Sequence, residues 1–210
     1  MTYLLSLLTF LPLAGAIVIS LFIKSDSLVS KNNAKITALF TSIATWLISL
    51  VLLARFDPNS SEFQLVEEYK WLAELNYKLG VDGISVLFIM LTTTIMPLAF
   101  ASSWNVKHRI KEYMVAFLIL ETLVIGVFCA LDLVMFFVLF ESGLIPMFII
   151  IGVWGGKERV YAAFKFFLYT LLGSILMLIG MIVIWSITST TDIPTLLVYS
   201  FSVEPIDILG

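Results

Sequence analysis

Charge is scarce in this chain of 210 residues. Asp, Glu, Lys and Arg together make 13% of it, against about 25% in soluble globular domains. Cysteine is limited to Cys129, which excludes a disulfide framework or a cysteine-based metal cluster. The single histidine, His108, has no companions at metal-ligand spacing and reads as a solvated loop residue. A net charge of -3 leaves no basic stripe for a nucleic-acid backbone. Gly-rich phosphate loops, haem ligand pairs and iron–sulfur cysteine spacings are missing as well. Electron transfer and nucleotide chemistry are therefore expected outside this chain. What is plentiful is apolar: 60% hydrophobic residues and a mean hydropathy of +1.07. A soluble fold of this size could not hide that much apolar surface, so the composition describes an integral membrane protein embedded in a lipid bilayer.

The charges punctuate the spans. A helix needs about 20 apolar residues to cross roughly 30 Å of hydrocarbon. Six such runs are expected, at 3–23, 36–54, 84–104, 113–131, 133–154 and 166–190, forming one membrane domain over 1–210. The first run is longer than a signal-peptide core and lacks a positive leader, so it is read as a retained span. Nine of the twelve basic residues fall after spans one, three and five, among them Lys24, Lys35, Lys107 and Arg159. Acids including Asp57, Glu67, Glu74, Asp82, Asp132, Asp192, Glu204 and Asp207 collect on the opposite side. The positive-inside rule then sets both termini on the non-cytoplasmic side.

The one sizeable loop, 56–81, keeps an apolar odd-numbered register through Phe63, Leu65, Tyr69, Trp71, Tyr77, Leu79 and Val81. Period two predicts a hairpin turning near Ala73–Asn76, with a surface helix as the alternative. Asp82 stands where the third span needs an N-cap.

Two acids interrupt the spans. Glu121 lies 11 residues before the Asp132 turn and Glu141 lies 9 after it. At about 1.5 Å per residue, both stand some 14–16 Å deep, near mid-membrane on adjacent helices. An ionisable group there usually faces other helices or water and often marks an ion path. Pro146 removes a backbone donor and frees the carbonyl of Ser142, a loosened turn beside Glu141 that water or a polar neighbour must satisfy. Burial favours the neutral form of a carboxyl, and an approaching cation favours the charged form. Lys165, at the end of the sixth span, is the basic residue nearest a span core, and its alternative role is an interfacial anchor. For both acids the plainer alternative is a neutral carboxyl hydrogen-bonded across helices. Thr92, Thr93 and Thr94 precede Pro97 and are read as hydroxyl repair of a kink, and Pro12 breaks the first span in the same way.

Three segments carry a resemblance: GVDGIS at Gly80–Ser85, CALDLVMFFVLFESGLIPMFIIIGVWGG at Cys129–Gly156, and FKFFLYTLLGS at Phe164–Ser174. Together they resemble the antiporter-like subunit M, or mitochondrial subunit four, of proton-pumping NADH:quinone oxidoreductase, respiratory complex I. The resemblance implies the N-terminal part of an inverted-repeat fold of about fourteen helices, a proton-translocating module of the membrane arm. It places the family's key fifth-helix glutamate on Glu141, a lysine of bacterial members on Lys165, and an acid of some relatives on Glu121. Other membrane-arm subunits are the implied partners, with no nucleic acid. NADH, FMN, iron–sulfur clusters and quinone are implied for partner subunits, and no cofactor for this chain. A bacterial inner membrane is implied, with the mitochondrial inner membrane as alternative. The family's seventh-helix lysine and second repeat have no counterpart before Gly210, so a chain ending there is expected not to translocate protons alone. The other readings are a subunit of a multicomponent cation/proton antiporter and a non-transporting remnant.

Overall fold

The computed structural model describes residues 3–23, 28–72, 75–106 and 108–201. Among the described residues, six helices are long and apolar enough to cross a membrane: α1 (Leu4–Phe22), α2 (Leu28–Arg55), α3 (Gly83–Ser102), α4 (Ile110–Cys129), α5 (Leu133–Trp154) and α6 (Arg159–Thr188). Strands β1 (Gln64–Leu72) and β2 (Leu75–Val81) form an antiparallel hairpin between α2 and α3, and a short helix α7 (Ile193–Val198) follows α6. The chain is thus a multi-pass, all-α membrane protein carrying one hairpin on one of its faces. Lys24, Ala73, Glu74, Lys107, Glu204 and Asp207, used above for charge balance and for the hairpin turn, lie outside the described residues.

The fifth span occupies the expected 133–154. Helices α2 and α6 start eight and seven residues before the expected 36 and 166. Charge marks the limit of the hydrocarbon, whereas helical hydrogen bonding continues past it, so Lys35 and Lys165 sit inside helices. The first helix lacks a side-chain cap of its own, while Asp82 caps α3 by accepting the Ser85 amide at 2.7 Å, as its position predicted.

Helices α1, α3 and α5 all begin on the hairpin face, and each finds an acid there. Glu67 takes the amides of α1, Asp82 those of α3, and Asp132 those of Val134 and Met135 at 2.9 and 3.0 Å. At the other face each ends on a basic side chain. Lys111 donates to the Ser20 carbonyl (2.9 Å), Arg159 to Val153 (2.9 Å), and Lys35 to Trp104, just past α3 (2.5 Å). Both ends of the helix dipole are complemented in every case.

Helices α1 and α4 form the centre, with 44% of each span buried, against 11% for α5 and 6% for α6. Within lipid the helices gain little from hydrophobic exclusion and hold together by close packing. Gly15 lets α1 approach α2, since a Cβ there would stand 2.6 Å from Thr41 Cγ2. The buried apolar residues divide into two clusters. One, beneath the hairpin, joins Leu4, Leu5, Leu8, Leu52, Val86, Ile89, Ile125 and Cys129 with Leu79 and Val81. The other, toward the basic face, joins Ala16, Ile19, Ala34, Ala38, Met96, Phe100, Met114 and Leu118.

Candidate functional site

Helix α5 positions Glu141 two and a half turns past its Asp132 cap. The side chain is half-buried, and its Oε2 is buried without a hydrogen-bond partner among the described residues. Pro146 lies inside the helix and is itself buried, so the break in the backbone ladder falls in the packed interior. Gly143, between Ser142 and Pro146, has nothing within 4 Å of where a Cβ would stand. Two residues along the helix is a turn of about 200°, so that open space lies on the face of α5 opposite the Glu141 side chain.

Glu121 is more deeply enclosed. It is 0% exposed, and neither carboxyl oxygen has a partner among the described residues. On α4 it follows Leu118 and precedes Ile125 on the buried stripe, so it falls between the two apolar clusters. Helices α4 and α5 pack directly on one another. Gly126 makes room for this contact, because a Cβ there would meet Leu139 at 3.1 Å and Thr9 at 3.4 Å.

Lys165 sits apart from both acids. Phe164 packs edge-on against Phe148 of α5 at 5.3 Å, and Lys165, one position later, turns about 100° away. It is exposed and lies over the Tyr161 ring at 5.9 Å. No hydrogen bond or ion pair joins it to Glu141 among the described residues. The hydroxyls ahead of Pro97 also behave differently from expectation. Thr92, Thr93 and Thr94 donate to the carbonyls of Phe88, Ile89 and Met90, upstream of the break, and not to the freed Thr93 carbonyl. Each hydroxyl reaches back one turn because that is where its own backbone places it. The His108 side chain is exposed, and its carbonyl accepts the Trp154 indole N–H at 2.8 Å.

The hairpin holds a buried acid that the sequence reading passed over. Glu67, 5% exposed, accepts the Leu5 amide at 2.8 Å and the Ser6 amide at 3.0 Å. The signal was available: 67 has the same parity as the apolar positions 65 and 69. A bulge with Leu65 at φ 55° shifts the register there, leaving Val66 and Tyr69 exposed. Ser6 Oγ also meets the Tyr77 hydroxyl at 3.0 Å. Burial pushes the Tyr77 phenol up, the Ser6 hydrogen bond opposes that, and Glu67 adds to it. A hydrogen bond with Tyr3 pushes Tyr69 up to about 12.

Lys78 was likewise missed. It donates to Asp192 at 2.5 Å, across 114 positions, and approaches Glu68 at 3.9 Å. Burial raises the Asp192 carboxyl, but Lys78 and Thr195 outweigh it and hold the group below its ordinary value. The Leu131 amide bonds the Lys78 carbonyl at 2.9 Å, and the Leu133 and Ile193 amides bond Thr191 and Leu131, both at 2.9 Å. The hairpin, the α4–α5 turn and the segment after α6 are thereby tied into one patch. No group of three or more His, Cys, Asp or Glu able to hold a metal occurs among the described residues.

Residues 130–208 match the family described as "NADH:quinone oxidoreductase/Mrp antiporter, TM". The whole chain is similar to NADH-quinone oxidoreductase subunit M of Rhodobacter capsulatus, 56% identical over 210 residues and covering 41% of that protein. NADH-ubiquinone oxidoreductase chain 4 of Arabidopsis thaliana is 47% identical over 195 residues, 91% of this chain and 39% of the relative. Among solved structures, a chain of respiratory complex I from Thermus thermophilus matches at TM-score 0.79 and 24% identity, covering 94% of this chain and 39% of that one. A chain of the archaeal membrane-bound sulfane sulfur reductase matches at TM-score 0.75 and 19% identity, covering 91% and 39%. Both structural likenesses concern the fold. This chain spans about two fifths of the length of the curated relatives it matches.

Proposed function

We propose, from its similarity along its whole length to subunit M of NADH-quinone oxidoreductase, that this chain is the N-terminal portion of a proton-translocating membrane-arm subunit. Its 210 residues form one membrane domain, with the acidic hairpin face and both termini on the non-cytoplasmic side. The host is a bacterial inner membrane, with the mitochondrial inner membrane as alternative. Other membrane-arm subunits surround it, and NADH oxidation through FMN, iron–sulfur clusters and quinone takes place in partner subunits. The relatives support the complex I reading over a cation/proton antiporter, although the matched family description covers both.

Glu141 is the residue that carries the proton. The observation behind this role is a half-buried carboxyl on α5 with one oxygen unpartnered among the described residues, one turn before the buried Pro146. Pro146 and Ser142 leave a carbonyl without its helical donor, which water can satisfy. A hydrated carboxyl can take a proton from one side and pass it on when a cation approaches or leaves. Glu121 on α4 and Lys165 on α6 serve as subsidiary groups.

The test is Glu141→Ala against Glu141→Asp in the assembled complex. Loss of proton pumping in the first, with partial retention in the second, is the expected result. Wild-type proton stoichiometry in a fully assembled Glu141→Ala complex overturns the role.

A further inference from the structure

Each of the first four helices carries a buried stripe that runs through both apolar clusters, and each stripe turns polar between them. On α3 the sequence of buried residues is Val86, Ile89, Thr93, Met96, Phe100. On α4, Glu121 and Thr122 separate Met114 and Leu118 from Ile125 and Cys129. On α2, Ser42, Thr45 and Ser49, all 0% exposed, separate Ala34 and Ala38 from Leu52. On α1, buried Thr9 and Pro12 separate Leu8 from Ala16. The four helices thus share a polar layer closed above and below by apolar packing. From Leu118 to Ile125 it is about 10 Å thick.

Apart from Thr9, the hydroxyls of this layer have already placed their protons. Ser42, Thr45 and Thr93 donate to the carbonyls of Leu39, Thr41 and Ile89, each at 3.0 Å. Ser49 reaches Trp46 at 2.7 Å and shares a bond with Thr93 at 2.8 Å. What these oxygens still offer is lone pairs. A carboxylate needs donors, while a neutral carboxylic acid needs an acceptor for its proton, so the layer complements the acid form. Groups that could offset a charge are missing nearby: among the described residues, the stripes of α1, α2 and α3 between the clusters hold no titratable side chain. On α4 the nearest titratable groups are the Tyr113 phenol and the Cys129 thiol, each eight residues from Glu121, and on α5 it is Glu141.

We propose that the middle of the α1–α4 bundle is a sealed proton store, in which Glu121 is kept as the neutral acid by enclosed water that links it to the layer's hydroxyl oxygens, apart from the Glu141 carboxyl. Buried polar groups without protein partners are commonly satisfied by internal water where the site is polar. Thr9 Oγ1 and both Glu121 oxygens are such groups. A sodium ion would suit the same oxygens, but the apolar clusters on both sides oppose entry of a hydrated cation. The proposal deepens the subsidiary role given to Glu121 above.

Infrared difference spectra of the assembled membrane complex, wild type minus Glu121→Gln at neutral pH, test it without reference to pumping. The expected result is loss of one carboxylic-acid C=O band with no loss of a carboxylate band, unchanged when sodium replaces potassium. Thr93→Val, which leaves Glu121 in place, is expected to shift that same band, and this holds as a test even if Glu121→Gln fails to assemble. A carboxylate band, a sodium-dependent band, or no shift in Thr93→Val overturns the store. A Glu121→Gln complex that loses the acid band yet pumps normally supports the store and removes Glu121 from the proton path.

Discussion

The Glu67 carboxylate accepts the Leu5 amide at 2.8 Å, closing the start of a helix from 62 positions away in the chain. Helix α1 has no cap of its own, so its first amides depend on the hairpin. Glu67→Ala is expected to cost about 2 kcal/mol, because charge-assisted caps contribute more than neutral ones. Glu67→Gln keeps an acceptor but loses the charge, and should cost about half as much. Thermal unfolding of the full chain in detergent, with hydrogen exchange at Leu5 and Ser6, measures both. An Ala variant as stable as wild type, with unchanged protection, refutes the cap.

The Lys78–Asp192 pair predicts a pH dependence. The Asp192 carboxyl is held below its ordinary value in the folded chain. Its contribution is therefore fully present above the unfolded value of 3.8 and is lost as pH falls through the lower folded one. Proteolysis of the hairpin should be unchanged from neutral pH down to the ordinary carboxylate range and accelerate only below it. Lys78→Met should show the accelerated rate already at neutral pH, and an identical profile for both proteins counts against the pair.

Gly15→Ala should destabilise the α1–α2 contact. Thr41 cannot simply turn aside, since its hydroxyl bonds the Thr37 carbonyl at 2.8 Å. Overpacking of this kind costs about 1–3 kcal/mol. The Thr41→Ala change should recover part of that in the double variant, a coupling read from a double-mutant cycle. Strict additivity would show that the two residues do not meet.

Much of this molecule was legible from charge spacing alone. Asp132 and Trp154 bound α5 as read, because a capping acid and an aromatic end mark both limits. Lys35 and Lys165 misled, since long basic side chains let a helix continue past the hydrocarbon while the charge stays in the headgroup region. Glu67 was hidden by its own chemistry: an acid in an apolar register looks like an interruption until its partner amides, distant in sequence, are known. Glu121 and Glu141 were visible as acids at matching depth, but the full burial of one and the half-burial of the other depend on which faces α4 and α5 turn inward. One sequence does not carry that rotation.

Asp132 holds the amides of Val134 and Met135 and the Thr191 hydroxyl, while backbone bonds on either side join it to the hairpin and to the chain after α6. That end of α5 is moored in three directions. A displacement of the helix along its axis would strain the bonds to Thr191, to the hairpin and to the chain after α6 together, while the cap bonds to Val134 and Met135 travel with the helix. Glu141 and Pro146, nine and fourteen residues along the same helix, lie progressively farther from that anchored end.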